Sequence, residues 1–379
     1  MLFRSMNTTL PYHWIDSDEQ LRIICSQAQS ASVVALDTEF IRVRSYYPKL
    51  GLIQLFDGNQ IALIDPQQIQ DFSPFVALLA NPQVTKVLHA CSEDLEVFQH
   101  YFQQLPTPMI DTQIMAAFAG HGISVGFAKL VSHDLGQELD KGASRTDWLA
   151  RPLSETQLQY ACADVYYLLP VYQRLAEILS HTAWQEAVLQ ECQQLLAKPL
   201  QPVDSQKAYK NITNAWQLNP QQLAVLKILA KWRIEEAQKR DLALNFVVKE
   251  QSLFHIAKIQ PKHTACLLEF MHPNEVRRYG KKLLWLVEQG QQIPPSDYPE
   301  AITSLVDDPA YKYSLKKMQK RLAEIQPQDL LPELLASKRQ LTQLFQWYKK
   351  GQFSHAQPEL LQGWRAEYGK QLLAELESV

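Results

Sequence analysis

The pattern of the sequence changes near residue 200, and this change limits the possible folds more than any other feature. Residues 1–200 alternate short apolar, β-branched runs with stretches of helical periodicity, whereas strand patterns nearly vanish after the proline-rich segment 198–204. A chain of 379 residues is also longer than one hydrophobic core usually supports. We therefore predict a mixed α/β sheet with helices on its faces, followed by all-helical domains.

Short apolar runs predict five strands in the first part, at residues 32–37, 51–56, 60–64, 84–89 and 108–111. The turn signal Asp57-Gly58-Asn59 makes the second and third of these strands a hairpin. Helices are predicted over residues 17–30, 74–79, 92–101 and 112–119, and one long helix from residue 154 to about 181. Ser154 and Gln157 have the spacing of a capping box, which marks the start of that long helix.

The residues after the proline-rich segment predict two small helical domains of similar size. Apolar residues recur at helical spacing over 221–240, and short helices continue to about residue 289. A second linker candidate at 292–296 precedes the last block, whose longest helix is predicted at 330–347. We expect domains at 1–200, 210–290 and 296–379, each large enough to fold by itself.

Composition and cysteine spacing predict a cytoplasmic protein. Apolar residues are 46% and charged residues 20% of the chain, which is ordinary globular composition. The longest apolar runs are too short to cross a bilayer, and the first six residues lead into no apolar signal-peptide region. The five cysteines are far apart and form no CxxC pair, which is typical of reduced thiols and not of a disulfide framework.

Charge is distributed unevenly along the chain, although the net charge is only −3. Residues 1–209 hold 13 Lys/Arg against 22 Asp/Glu, and residues 210–290 hold 13 against 7. An acidic segment followed by a basic one is compatible with a carboxylate metal site and a surface for nucleic acid. Ordinary solvated surface charge explains the same numbers.

Two acids stand side by side near the end of the first predicted strand. Side chains two residues apart on a strand point to the same face, so Asp37 and Glu39 present neighbouring carboxylates. A hard divalent cation such as Mg²⁺ or Mn²⁺ would relieve their mutual repulsion. Taken alone, however, the tripeptide is more often a pair of solvated acids at a polar turn.

Two further groups of residues have the chemistry to complete such a site. Tyr160 and Asp164 are four apart on a predicted helix and therefore share one face, in an apolar context where an acid needs a partner. Asp94 follows Ser92 and Glu93 where a strand passes into a helix. Ser92 as a helix cap, with both acids in the first turn, is the alternative explanation for that segment.

Taken in chain order, the motifs are Asp-x-Glu on an early strand, an Asp at a strand-to-helix junction and Tyr-x-x-x-Asp on a late helix. This order resembles that of the DEDD exonucleases, tyrosine subclass. Wider strings are similar to bacterial ribonuclease D, namely Leu36-Asp37-Thr38-Glu39-Phe40, residues 47–55, His89-Ala90-Cys91-Ser92-Glu93-Asp94-Leu95 and Ser144-Arg145-Thr146-Asp147-Trp148. Residues 211–216 and 241–248 resemble a first helicase-and-RNase-D C-terminal (HRDC) domain, and the last block resembles a second, more weakly. The middle motif departs from the wider superfamily because no Asn/aromatic pair precedes its Asp.

The resemblance implies a ribonuclease H-like fold and 3′–5′ hydrolysis of RNA with two divalent ions, Mg²⁺ or Mn²⁺, releasing nucleoside 5′-monophosphates. Asp37 would bridge both ions, Glu39 and Asp164 would complete the ligands of the first, and Asp94 would hold the second. Tyr160 would orient the attacking water, since an ordinary tyrosine pKa of about 10 makes it a poor base. The family also implies RNA partners, tRNA precursors and other structured 3′ ends, and no nucleotide cofactor.

Predicted substrate contacts have equally good structural explanations. Phe40 can stack on a terminal base or belong to the core, and Arg145 can neutralise a phosphate or form a surface ion pair. Gln54 can reach the site or pack in the sheet, and the motif context adds Thr38 and His89. A basic helix face can track an RNA backbone or be solvated: Lys227, Lys231, Arg233, Lys239 and Arg240. Nothing in their surroundings predicts a role for the histidines at 100, 121 and 133.

Two other functions remain open from the sequence. A DNA-directed 3′–5′ exonuclease would use the same active-site residues, because recognition of the 2′-hydroxyl depends on backbone geometry. A decayed, non-catalytic nucleic-acid-binding protein is disfavoured because all four carboxylates and the tyrosine are present. The absence of a GxxxxGK[ST] phosphate loop disfavours an NTP-driven helicase.

Overall fold

The computed structural model describes residues 9–140, 142–198, 203–302, 305, 308–351 and 357–377. It divides into two compact units. The first is built from Met1–Ile41, Lys49–Gln201 and Pro309–Val379, and the second from Arg42–Pro48 and Pro202–Asp308. The first residues of the chain and most of the proline-rich linker, at 1–8 and 199–202, lie outside the described residues.

A mixed six-stranded sheet forms the centre of the first unit, as predicted. Its strands are β1 (His13–Ile15), β2 (Val33–Ile41), β3 (Lys49–Phe56), β4 (Ile61–Ile64), β5 (Thr85–Leu88) and β6 (Met109–Asp111), in the spatial order β1-β4-β3-β2-β5-β6. β2, β3 and β4 pair antiparallel, whereas β1, β5 and β6 join parallel to their neighbours. The five predicted strands are present, and β1 was not predicted because three residues carry too little periodicity.

Helices flank this sheet in the first unit. They are α1 (Asp18–Ala28), α2 (Ser73–Ala80), α3 (Ser92–Phe102), α4 (Thr112–Phe118), α5 (Phe127–Leu135), α6 (Glu155–Tyr166), α7 (Leu168–Ser180) and α8 (Gln185–Ala197). The predicted single helix over 154–181 is wrong, because α6 and α7 are separate. Pro170 lacks an N–H to bond the carbonyl four residues earlier, that of Tyr166, and its ring crowds that carbonyl, which interrupts the helix at Tyr167.

α6 packs on one face of the sheet through a shared apolar cluster. Ala161, Cys162 and Val165 of α6 join Leu52 of β3 and Leu63 of β4 in this cluster, and all five side chains are fully buried. The predicted capping box starts the helix, with the Ser154 hydroxyl accepting from the Gln157 N–H and the Gln157 side chain bonding back to Ser154. The sheet and the cap together fix the direction in which α6 presents its other residues.

The second unit is helical and has its own apolar core. Its helices are α9 (Pro220–Arg240), α10 (Leu244–Val247), α11 (Glu250–Ile259), α12 (Thr264–Leu267) and α13 (Pro273–Gln291). Residues of the β2–β3 connection belong to it: the Tyr47 N–H donates to Asp241 Oδ1 at 2.9 Å, and the Ala243 N–H donates to the Arg44 carbonyl at 2.8 Å. The chain therefore leaves β2, passes through the second unit and returns as β3.

The last helices pack on the sheet domain within the first unit. They are α14 (Pro309–Ile325), α15 (Pro332–Leu335), α16 (Lys338–Lys349) and α17 (Ala366–Glu377). Glu191 of α8 accepts from Trp364 Nε1 at 2.9 Å and forms a buried ion pair with Arg365. The predicted helix over 330–347 is wrong, because Ala336 is extended and Ser337 begins a new helix with a capping box of its own.

Three domains at 1–200, 210–290 and 296–379 remain a prediction. In the described part of the chain, no helix has the length and the apolar character that crossing a bilayer requires.

Candidate active site

Asp37 and Glu39 lie on the part of β2 that extends past its neighbour β5. β2 pairs with β5 only from Val33 to Ala35, whereas its pairing with β3 continues to Ile41. Both carboxylates lie on one face of the strand, as the alternation predicts, and both residues are half-buried. The missing β5 partner leaves room beside them for side chains from helices.

A bulge in β3 sets the direction of Glu39. Glu39 pairs with Leu52 but the next residue pairs with Leu50, so Gly51 is the extra residue. Trp148 covers this position so closely that a Cβ on Gly51 would lie 2.6 Å from the Trp148 carbonyl oxygen. Arg151 holds the same segment, donating to the Gly51 carbonyl at 2.7 Å. The irregular strand therefore has a glycine because another backbone lies against it.

Asp94 reaches the site from the first turn of α3. Its side chain is buried, and the Thr38 hydroxyl donates a hydrogen bond to its Oδ1. The alternative that Ser92 caps α3 is wrong in its cap residue: Cys91 occupies the cap position, with no side-chain cap bond, although Glu93 and Asp94 do lie in the first turn.

A buried aspartate, Asp111, fixes the strand-to-helix turn that precedes α3. Its two carboxylate oxygens accept from the Ala90 and Cys91 N–H groups, both at 3.0 Å. Ala90 has a φ of 54°, a left-handed conformation that is unfavourable for alanine. Asp111 thus stabilises the strained turn from which Asp94 projects. Sequence reasoning missed this role because the contact is long-range.

Tyr160 and Asp164 share the face of α6 that is directed to the carboxylates of β2. The Tyr160 hydroxyl bonds to Asp164, and the Tyr160 ring lies 6.1 Å from the ring of Trp148. Trp148 is almost fully buried, with 1% of its surface exposed. One wall of a neighbouring pocket of about 330 Å³ is formed by Tyr160 and residues of the preceding loop, including Asp140 and Ala143.

The predicted acids come together as one cluster. Ligand oxygens of Asp37, Glu39 and Asp164 all lie within 4.8 Å of one another. Asp94 belongs to the same electrostatic group, since its charge acts on both Glu39 and Asp164. Separate elements β2, α3 and α6 therefore deliver four carboxylates to one place.

Burial and mutual repulsion raise the pKa values of the four carboxyl groups in this cluster. Burial, and then the charge of Asp164, raises the pKa of Asp37 well above its ordinary value. Burial, followed by the charges of the other three acids, raises the pKa of Glu39 to about 10. The pKa of Asp94 is raised well above its ordinary value by burial and by Asp37. Burial raises the pKa of Asp164 to about 7, against the opposing hydrogen bond from Tyr160.

This arrangement fits divalent metal ions. Four oxygen-donor side chains converge, and each would be stabilised in its charged form by a nearby cation. The donor set contains neither histidine nor cysteine, which favours a hard ion of the Mg²⁺ or Mn²⁺ type. Burial and the neighbouring acids also raise the pKa of Tyr160 above its ordinary value, so its hydroxyl stays protonated at neutral pH.

The predicted substrate-contact residues have different surroundings. Gln54 is fully buried directly opposite Asp37 in the β2–β3 pairing, and neither amide atom has a hydrogen-bond partner among the described residues. His89 uses both ring nitrogens within the domain, at 2.9 Å from Thr112 Oγ1 and 3.2 Å from the Val125 carbonyl. Phe40 is half-buried after the bulge.

Two more features bear on substrate contact. Arg145 is exposed in the loop before α6. Sequence reasoning missed the ion pair between Arg151 and Asp65, at 2.6 Å, which anchors the segment carrying Trp148. Only the Ser144–Trp148 motif pointed to this segment.

Comparison with known proteins supplies the family. The family model described as 3′-5′ exonuclease matches residues 12–180, the HRDC domain model matches 222–287, and the model of the ribonuclease D C-terminal HRDC domain matches 309–373. Ribonuclease D of Haemophilus influenzae is 52% identical over 354 residues, covering 92% of this chain and 89% of that protein. Ribonuclease D of Escherichia coli is 46% identical over 358 residues, covering 94% and 96%.

A solved structure agrees with these relatives over the whole fold. The crystal structure of E. coli RNase D, described as an exoribonuclease involved in structured RNA processing, matches with a TM-score of 0.93 and 45% identity. The match covers 97% of this chain and 99% of that one. The region that matches the exonuclease model contains the whole carboxylate cluster and Tyr160. The chain therefore belongs to the ribonuclease D family of hydrolytic 3′–5′ exoribonucleases.

Proposed function

We propose that this chain hydrolyses RNA from its 3′ end with two divalent metal ions, releases nucleoside 5′-monophosphates, and trims the 3′ ends of tRNA precursors. The observation that carries the proposal is the convergence of four carboxylates from three elements beside Tyr160. A structural role does not account for such a cluster, since buried like charges destabilise a fold unless cations neutralise them.

The acids divide naturally between two ions. Asp37, Glu39 and Asp164 would hold one Mg²⁺ or Mn²⁺, and Asp37 and Asp94 would hold the other, with Asp94 acting directly or through water. When bound, the pair of ions stabilises the attacking and leaving oxygens of the phosphodiester and lowers the pKa of water. Thr38 fixes Asp94 by its hydroxyl, so it acts here as a positioning residue.

Tyr160 orients the attacking water in this proposal. Its raised pKa keeps the hydroxyl protonated, so it donates or accepts a hydrogen bond without acting as a strong base. Trp148 holds the tyrosine ring in place, and the bond to Asp164 sets the direction of the hydroxyl. The protein thereby contributes orientation, which well-placed groups convert into large rate enhancements.

The substrate contacts that we propose surround this centre. The unpartnered amide of Gln54 is available to a bound phosphate or water, Phe40 stacks on the terminal base, and Arg145 neutralises a phosphate. His89 contributes by holding the strand end through its two hydrogen bonds. The five free cysteines agree with the cytoplasm, the compartment in which we place the protein.

RNA is the proposed partner. The helical domains at 210–290 and 296–379 are the proposed accessory domains of the protein. The E. coli relative acts in structured RNA processing by its description. The excess of basic residues over 210–290 would bind the RNA backbone, so affinity would fall as salt rises.

A time course on gels tests the proposal. The substrates are a tRNA transcript with a 3′ extension and a single-stranded DNA of matched sequence, each with Mg²⁺, Mn²⁺ or EDTA. We expect stepwise shortening of the RNA, loss of activity in EDTA, much slower loss of DNA, and mononucleotide 5′-phosphates as products. Faster DNA shortening would contradict the RNA assignment, and shortening in EDTA would contradict the metal mechanism.

Matched variants test the site itself. Asp37→Asn keeps the size of the side chain but removes the shared charge, so we expect turnover to be lost while the circular dichroism spectrum is retained. Asp16→Asn changes an exposed aspartate in the same domain and should leave the rate unchanged. Near-normal turnover of Asp37→Asn would contradict the assignment.

A further inference from the structure

A second group of potential metal ligands lies outside the carboxylate cluster, where α4 and α5 come together. His121 follows α4 closely, and His133 and Asp134 belong to the last turn of α5. One ligand atom from each of the three lies within 4.8 Å of the other two. The two imidazole rings meet edge to face with centroids 4.7 Å apart. Two elements separated in sequence thus bring two imidazoles and one carboxylate to a common point.

Two buried polar atoms of this group lack the hydrogen bonds that buried groups normally make. Only 3% of the Asp134 side chain and 10% of the His121 side chain are exposed. Neither Asp134 Oδ2 nor His121 Nε2 has a hydrogen-bond partner among the described residues. Buried polar atoms without partners are uncommon, and a bound ion is one of the few arrangements that satisfies them.

The distance between His121 and Asp134 suits ligands of one ion better than a hydrogen bond. His121 Nε2 lies 3.5 Å from Asp134 Oδ1, which is too long for a good hydrogen bond. Tetrahedral zinc with bonds of about 2.0–2.1 Å holds its ligand atoms about 3.3 Å apart. His133 Nδ1 makes a hydrogen bond of 2.7 Å to the same oxygen, but this ring is 68% exposed and has room to turn toward an ion.

We propose that His121, His133 and Asp134 form a binding site for one transition-metal dication of the zinc class. Two imidazole nitrogens and one carboxylate oxygen are ligands typical of Zn²⁺ and Co²⁺, with a fourth position left for water. Mg²⁺ prefers oxygen ligands, so it belongs in the carboxylate cluster and not here. The ion would join the turn after α4 to the end of α5, and it is independent of the proposed reaction.

Metal binding by the full chain tests the site once the catalytic cluster has been disabled. The background protein carries Asp37→Asn and Asp164→Asn, so that the acidic cluster no longer competes for the ion. After chelation and dialysis, Zn²⁺ is titrated and bound metal is counted by mass spectrometry. Co²⁺ absorption then reports imidazole ligands. We expect one tightly bound equivalent of Zn²⁺ and a visible Co²⁺ band for a site of nitrogen and oxygen ligands.

His133→Ala in the same background decides whether the ion is held here. This residue is largely exposed, so its loss should leave the fold intact, as circular dichroism can check. We expect Zn²⁺ affinity to fall by more than about tenfold, because even the loss of groups that only orient a ligand typically costs about 10–100-fold. His181→Ala removes another exposed histidine of the first unit and should bind Zn²⁺ as the background protein does.

Two results would overturn the proposal. One is the absence of a tight equivalent of Zn²⁺ in the background protein. The other is equal Zn²⁺ affinity and an unchanged Co²⁺ spectrum for the His133→Ala and His181→Ala proteins.

Discussion

Thr38→Val removes the hydroxyl that holds Asp94, one of the proposed metal ligands, and leaves the shape of the side chain nearly unchanged. The Thr38 hydroxyl donates to Asp94 Oδ1 inside the domain, where 5% of Thr38 and 8% of Asp94 are exposed. Water therefore cannot readily replace the lost donor. The Asp94 carboxylate would retain its place in the chain but lose the bond that sets its rotamer.

The size of the effect follows from the kind of bond. A hydrogen bond to a charged group contributes about 1.5–3 kcal/mol. Each 1.36 kcal/mol in the activation barrier is about a tenfold change in rate, so the expected loss in kcat is about 10- to 150-fold. KM should change little, because Asp94 acts on the metal and not on the distant parts of the RNA. Thr38→Ser keeps the hydroxyl and should recover most of the rate.

Steady-state cleavage of the 3′-extended tRNA transcript at saturating Mg²⁺ measures both variants. Two results would refute the reasoning. A Thr38→Val rate within twofold of the parent would mean that the hydroxyl does not position Asp94 for catalysis. Equal impairment of Thr38→Val and Thr38→Ser would mean that the hydrogen bond alone does not account for the lost rate, since serine keeps the hydroxyl.

Two further predictions concern the bulge and the protons of the cluster. Gly51→Ala places a Cβ 2.6 Å from the Trp148 carbonyl oxygen, and overpacking of about 1–3 kcal/mol should lower both the unfolding temperature and the turnover rate. Gly126→Ala, with open space around its Cβ, is the control, and equal unfolding temperatures would contradict the role of the bulge. Raised pKa values keep Glu39 protonated, and Asp164 at least half protonated, without metal at pH 6–7. Binding of Mn²⁺ should therefore release protons, and its affinity should increase with pH. Calorimetry in buffers of different ionisation enthalpy measures this release, and a binding heat independent of the buffer would contradict it.

Local rules predicted how the side chains of the site are paired, because each pair of proposed catalytic residues lies on one regular element. Strand alternation places Asp37 and Glu39 on one face, and helical spacing does the same for Tyr160 and Asp164. That the two pairs meet could not be predicted from periodicity. It depends on α6 packing across β3 and β4, and only the resemblance to a family supplied that information.

The groups that support the site escaped prediction for a physical reason. Asp111 resembles the end of a short strand in the sequence, yet its carboxylate closes a turn 20 residues earlier in the chain. In the sequence Gly51 resembles an ordinary strand glycine. Only glycine fits there because Trp148, almost a hundred residues away in the chain, leaves no room for a Cβ. Two helix breaks were also not predicted, because apolar periodicity continues across Tyr167 and Ser337 although the helices are interrupted there.

The elements that carry the four acids need structural support because the acids repel one another. Four carboxylates at one place repel one another, and in the metal-free protein that repulsion would push the side chains apart or draw in protons. Each element that delivers an acid is held by a constraint of its own: the bulge at Gly51 for β2, the carboxylate of Asp111 for α3, and the capping box at Ser154 for α6. None of these constraints neutralises the acids, so the repulsion stays available to bind cations. An arginine in their place would have neutralised part of the acidic charge and so weakened the attraction of the site for metal ions.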